Sequence, residues 1–123
     1  MKPDWIVIGA VLGALAVVTG AFAAHLLQDR LSPVALDWWK TAVLYHALHA
    51  PAIVMYGVFD RERRRDLAPW CMTFGVVAFS GSLYALALGA PGWLGTITPV
   101  GGVLLIAGWL AFALQAQQLR QRG

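Results

Sequence analysis

The chain has 123 residues, of which 59% are hydrophobic and only 12% charged, and its mean hydropathy is +0.67; soluble domains carry about 25% charged residues. A water-soluble fold of this length could not hide so much apolar surface. The net charge of +3 does not point to a nucleic acid, because the basic residues gather in particular connections and at the ends.

Four apolar stretches predict an all-α polytopic membrane protein, a four-transmembrane-helix bundle in a single domain over residues 1–123. The helices are expected at about 5–27, 38–59, 67–90 and 98–118, each close to the ~20 residues that cross a ~30 Å hydrocarbon core. The first stretch exceeds the roughly 7 to 15 apolar residues of a secretory signal, so it reads as a retained helix. If the helices alternate in direction, Lys2, Arg61, Arg63, Arg64, Arg65, Arg120 and Arg122 fall on one side, with only Arg30 and Lys40 opposite. Basic residues favour the cytoplasmic side. Both termini are therefore expected in the cytoplasm, in a multi-pass protein of the bacterial inner (cytoplasmic) membrane. Arg61, Arg63, Arg64 and Arg65 are candidates to meet anionic lipid headgroups there.

Helix 1 opens at Trp5, read as an interfacial anchor. Gly9, Gly13 and Gly20 then recur with Ala16 and Ala24 at spacings of three and four. Such a stripe of small residues lets a second helix approach closely. His25 falls near the outer surface, roughly 30 Å from Trp5. Ser32 fits the N-cap of helix 2 and Pro33 its first position, with Trp38 and Trp39 at the outer interface. Pro51 removes the amide that would bond the Ala47 carbonyl, so a kink and a free acceptor are expected beside His46 and His49.

In helix 3, Gly75 and Ser82 carry a second small-residue stripe, with Gly81 beside it; Gly101 and Gly108 continue the theme in helix 4, whose start is expected at a Thr98 cap followed by Pro99. Two stripes exceed what one bundle requires, which makes a homo-oligomer or another membrane protein the candidate association. Cys71 is the only cysteine, so no intrachain disulfide can form, and it reads as a packing residue. A faint internal duplication matches Thr19-Gly20-Ala21 to Ser80-Gly81-Ser82, and Pro33-Val34 to Pro99-Val100.

His46 and His49 lie toward mid-bilayer, roughly 10 to 15 Å below Trp39. On a helical wheel they share an arc with Tyr45, and Ser80 in helix 3 reaches the same depth, with Tyr84 nearby. Tyr45, His46, His49, Ser80 and Tyr84 are thus a candidate intramembrane polar site, with His25 and Thr98 polar at the outer interface. Three uses of such a layer compete. Imidazole can donate and accept, so the histidines could bond Ser80, Tyr84 or the Ala47 carbonyl as structure. They could line a path for protons or a small solute. They could ligate a metal or haem, although no cysteine or carboxylate stands at a convincing ligand spacing. All six acidic residues, Asp4, Asp29, Asp37, Asp60, Glu62 and Asp66, lie outside or at the edge of the spans, which disfavours a carboxylate-driven antiporter. No nucleophile elbow, phosphate loop or zinc-protease helix is present. The sequence therefore reads as non-enzymatic, with no cofactor, no metal and no nucleic acid.

Four ordered motifs carry a resemblance over nearly the whole chain: Gly20-Ala21-Phe22-Ala23-Ala24-His25, Thr41 to Ala50 with Tyr45, His46 and His49, Phe79 to Tyr84, and Ile97 to Gly102 with Gly108-Trp109. The chain resembles the YgdD-like family, small four-helix inner-membrane proteins classed as a domain of unknown function, with a related eukaryotic branch. Ala23 stands where that family's pattern has glycine, and His46 where many members have glutamine. The resemblance implies that hydrogen bonding, which Gln and His share, is what position 46 supplies. It implies a fold and candidate sites, and no activity. The sequence reading that follows is a structural, assembly or interaction protein, with permeation and cofactor binding as its alternatives.

Overall fold

A computed structural model describes residues 2–62 and 65–123. It has four long helices, α1 (Trp5–His25), α2 (Pro33–Phe59), α3 (Leu67–Ala87) and α4 (Ile97–Arg122), with a short 3-10 helix, Gly92–Thr96, leading into α4. All four are long and apolar enough to cross a membrane.

Local chemistry sets the ends. Asp4 accepts from the amides of Ile6 and Val7 at 3.1 and 3.3 Å and so starts α1. Ser32 accepts from the Ala35 amide at 3.2 Å, ahead of Pro33 in the first turn of α2. That helix then continues through Pro51 to Phe59. Gly89 takes a left-handed φ of 97° and ends α3 short of the limit of its apolar run. The start of α4 differs from the expected Thr98 cap. Thr96 precedes the helix without a side-chain cap, its hydroxyl donating instead to the Trp93 carbonyl at 2.7 Å. Thr98 sits inside the first turn.

In their most apolar windows only 17% of the residues of α1 and α4 are buried, against 39% for α2 and α3. The inner pair is therefore α2 and α3, with α1 laid against α2 and α4 against α3. Glycines set these two outer contacts. A Cβ on Gly9 would stand 2.6 Å from Val54, and one on Gly57 2.8 Å from Ile6. In the second hairpin a Cβ on Gly75 would stand 2.7 Å from Leu105, and one on Gly108 2.7 Å from Met72. Gly13 facing Ala50 has its counterpart in Phe79 packed on Gly101. One constant shift carries the α1 partners onto α3 and another carries the α2 partners onto α4, so the two hairpins repeat one packing scheme. In that scheme Thr19 corresponds to Ala85. The short match between Thr19-Gly20-Ala21 and Ser80-Gly81-Ser82 is thus not the structural one.

The starts of α1 and α3 meet the ends of α2 and α4 at one end of the bundle. Trp5, expected at the lipid interface, is instead 2% exposed. It packs edge-on against Trp70 at 5.0 Å, in a core with Ile53, Tyr56 and Met72. Gly57 makes the room for it, since a Cβ there would press on Trp5 and Ile6.

Candidate functional site

His46 and His49 are three residues apart on α2, so both turn toward the bundle interior, where they are 5% and 4% exposed. They meet different helices. The indole Nε1 of Trp109 on α4 donates to His49 Nε2 at 2.9 Å, and the His49 Nδ1 stands 2.7 Å from the Tyr45 carbonyl one turn back. Indole nitrogen can only donate and a carbonyl can only accept, so His49 is the neutral tautomer with hydrogen on Nδ1. Both of its nitrogens are satisfied. Tyr45 lies parallel to the His49 ring at 6.3 Å, leans on Phe79 at 4.7 Å, and is partly open to lipid.

His46 turns the other way, toward α1 and α3. Its Nδ1 lies 3.0 Å from the Tyr84 hydroxyl, which lies 3.0 Å from the Thr19 hydroxyl. Thr19 donates its own hydrogen to the Ala16 carbonyl at 3.1 Å. The Tyr84 hydrogen therefore points to Thr19 or to His46 Nδ1, and either arrangement leaves His46 Nε2 buried without a hydrogen-bond partner. Trp39 closes the group, donating from Nε1 to the Thr19 carbonyl at 2.8 Å with its ring 4.6 Å from that of Tyr84.

Ser80 bonds neither histidine. Its hydroxyl donates to the Ala42 carbonyl at 2.8 Å and so fastens α3 to α2. The five residues expected as one site thus separate into a His46–Tyr84 group that includes Thr19 and Trp39, a His49–Trp109 pair, and the Ser80 bond. Toward the end of α3, Ser82 donates to the Phe79 carbonyl at 3.0 Å, so Thr98 donates to Ser82 at 2.5 Å across to α4. His25 is exposed in the last turn of α1.

Sequence reasoning missed a further polar group at the opposite end of the bundle. The Tyr56 side chain is fully buried and Asp60 is 6% exposed. The Tyr56 hydroxyl faces Asp60 Oδ2 at 3.1 Å, Gln115 Oε1 at 2.6 Å and the Arg65 carbonyl. Gln115 Nε2 donates to Asp60 Oδ2 at 2.7 Å. This group ties the end of α2 to α4. The signal available was the position of Gln115, the first polar side chain after the apolar run of helix 4.

Among the glycines expected at packing faces, Gly9, Gly75, Gly101 and Gly108 lie under a neighbouring helix, and Gly20 faces Val43 at 3.5 Å. Gly81 lies open, with nothing within 4 Å of where a Cβ would stand. Arg61 and Arg65 are exposed; Arg63 and Arg64 lie outside the described residues. Among the described residues no three His, Cys, Asp or Glu side chains converge as a metal-binding group.

The family profile described as "Protein of unknown function (DUF423)" matches residues 19–102, which include all three histidines, Tyr84 and Thr98. The chain belongs to this family. The DUF423 relatives include the UPF0382 inner membrane protein YgdD of Escherichia coli strain K12, 36% identical over 96% of this chain and 92% of that protein. A UPF0382 membrane protein of Staphylococcus epidermidis is 42% identical over 89% of this chain and 92% of its own length. The Staphylococcus haemolyticus protein SH2409 is 44% identical over 86% and 88%. No solved structure matches. This DUF423 chain is a multi-pass protein of the inner membrane, in a family whose function is not assigned.

Proposed function

We propose that the protein is a non-enzymatic membrane scaffold whose intramembrane polar groups are clasps between helices, and which acts by lateral association with other membrane proteins or with further copies of itself. The observation that carries this reading is His49. Both of its ring nitrogens are committed, one to its own helix and one to Trp109, which leaves no lone pair for a metal and no free site for a travelling proton. Ser80 and Ser82 are likewise spent on joining helices.

The same reading places both termini in the cytoplasm. The shared end of the bundle that carries Lys2, Arg61, Arg65, Arg120 and Arg122 is the basic one, with Arg30 and Lys40 at the other, and basic ends stay inside. The outer helices α1 and α4 then offer apolar faces such as Val17 and Ile106, which are 73% and 62% exposed.

One observation favours the permeation alternative, the open Nε2 of His46 at the end of the Thr19–Tyr84 chain. A single experiment separates the two. A photoreactive amino acid placed at Val17 or Ile106 in cells should give discrete adducts of defined mass to one or a few membrane proteins, or to a second copy. Purified protein in liposomes should carry no proton current. Lipid adducts alone, together with a proton flux abolished by His46→Gln, would replace the scaffold with a pathway.

A further inference from the structure

Where α3 begins, the surface between it and α4 holds an apolar groove of about 360 Å³ whose floor includes Ala107, Leu110 and Leu114, with Leu67 at its side. Ala107, Leu110 and Leu114 recur at spacings of three and four, so the groove follows the axis of α4. Its upper end is polar, formed by Arg65, Gln115 and Gln118. A second, smaller recess of about 30 Å³ adjoins it through these same three residues and adds Arg122. A narrow apolar trough thus opens into a cup bordered by two guanidinium-bearing residues. Among the described residues, no acidic residue lines either part. Of the nearby carboxylates, Asp60 is taken up by Tyr56 and Gln115, and Asp66, between Arg65 and Leu67, is in the lining of neither part.

We propose that this groove and cup bind one anionic phospholipid, with an acyl chain along α4 and the phosphodiester between Arg65 and Arg122. Dimensions and chemistry agree. From Gln118 to Ala107 the helix rises roughly 16 Å, close to the ~15 Å hydrocarbon depth of one leaflet. Guanidinium matches phosphate oxygens in a forked geometry and is the side chain suited to such contacts. The two basic residues stand at the headgroup level of that leaflet, where anionic lipid is drawn to positive charge. A zwitterionic headgroup would bring its own cation to the same cup and gain less. The site is distinct from the histidine layer, and its occupation does not depend on the scaffold reading.

Native mass spectrometry of the full-length protein released from detergent, titrated with phosphatidylglycerol or phosphatidylcholine, tests this. The parent should retain one phosphatidylglycerol in preference to phosphatidylcholine. Arg65→Gln and Arg122→Gln should each weaken that binding about fivefold, and Ala107→Phe, which fills the groove while leaving the cup, should weaken it as well. Arg30→Gln, at the other end of the bundle, should leave it unchanged. Millimolar inorganic phosphate should not displace the lipid. Equal retention of both lipids, or full binding by both arginine variants, would overturn the site. Displacement by inorganic phosphate would reduce it to an anion cup, and unchanged binding by a folded Ala107→Phe would remove the acyl groove.

Discussion

Trp109 on α4 donates its indole hydrogen to His49 Nε2 on α2 at 2.9 Å, and the rings meet edge-on at 5.9 Å. The bond joins α2 to α4, as the Tyr56–Gln115 group does nearer the end of α2. It lies where water does not compete, although in membranes the unfolded helices also find partners, and single interhelical bonds average only about 0.6 kcal/mol. His49→Leu removes both bonds of the imidazole and leaves the Trp109 indole N–H without its partner. It should cost about 1 to 3 kcal/mol. Trp109→Phe should cost about 1 kcal/mol, and the double variant less than the sum, because the two share one interaction. Unfolding curves in mixed micelles measure all three. Strict additivity would mean that the pair is not coupled.

A second expectation concerns His46. Tyr84→Phe removes the hydroxyl that faces both Thr19 and His46 and should destabilise by about 1 kcal/mol. His46→Gln should cost under about 0.5 kcal/mol, since an amide can both donate and accept toward Tyr84. The same unfolding assay decides, and a larger loss for His46→Gln than for Tyr84→Phe would contradict the hydrogen-bonding role.

Glycines divide into two classes. A Cβ on Gly101 would run into the backbone of Phe79, whereas one on Gly81 meets nothing. Gly101→Ala should therefore force the α3–α4 hairpin apart and cost about 2 kcal/mol or more, within the overpacking range. Gly81→Ala should be neutral or slightly stabilising, because glycine inside a helix costs roughly 0.5 to 1 kcal/mol relative to alanine. Thermal stability in detergent checks the pair.

Orientation is open to direct labelling. In a Cys71→Ala background, a cysteine at Glu62 should react with a membrane-impermeant maleimide only after the cells are opened, and one at Gln28 should react in intact cells. The reverse pattern would place the termini outside.

The four spans were legible in the sequence because each apolar run is as long as the bilayer is thick, and that constraint acts on every residue of the run. Partners inside the bundle were not. Depth along a helix follows from counting residues, so Ser80 was placed level with the histidines. Depth says nothing about which way a side chain turns, and Ser80 goes to the Ala42 carbonyl. Trp109 was visible only as part of a motif, since its link to His49 depends on how α4 is rotated against α3. That rotation is set by Gly101 and Gly108. Trp5 looked like an interfacial tryptophan until the space above Gly57 drew it inward. Asp60 and Gln115 sit where polar residues are expected at the end of any span, so the place of Gln115 after its apolar run did not say that it pairs with Asp60 and Tyr56.

Whether the histidine layer is structural rests most directly on the hydrogen carried by the His49 ring. Solid-state nitrogen NMR of histidine-labelled protein in lipid bilayers at neutral pH reads it. Hydrogen on Nδ1, with an unprotonated Nε2 whose resonance moves when Trp109 is replaced by phenylalanine, is the result expected of a clasp. Hydrogen on Nε2, or an Nε2 resonance indifferent to Trp109→Phe, would contradict it.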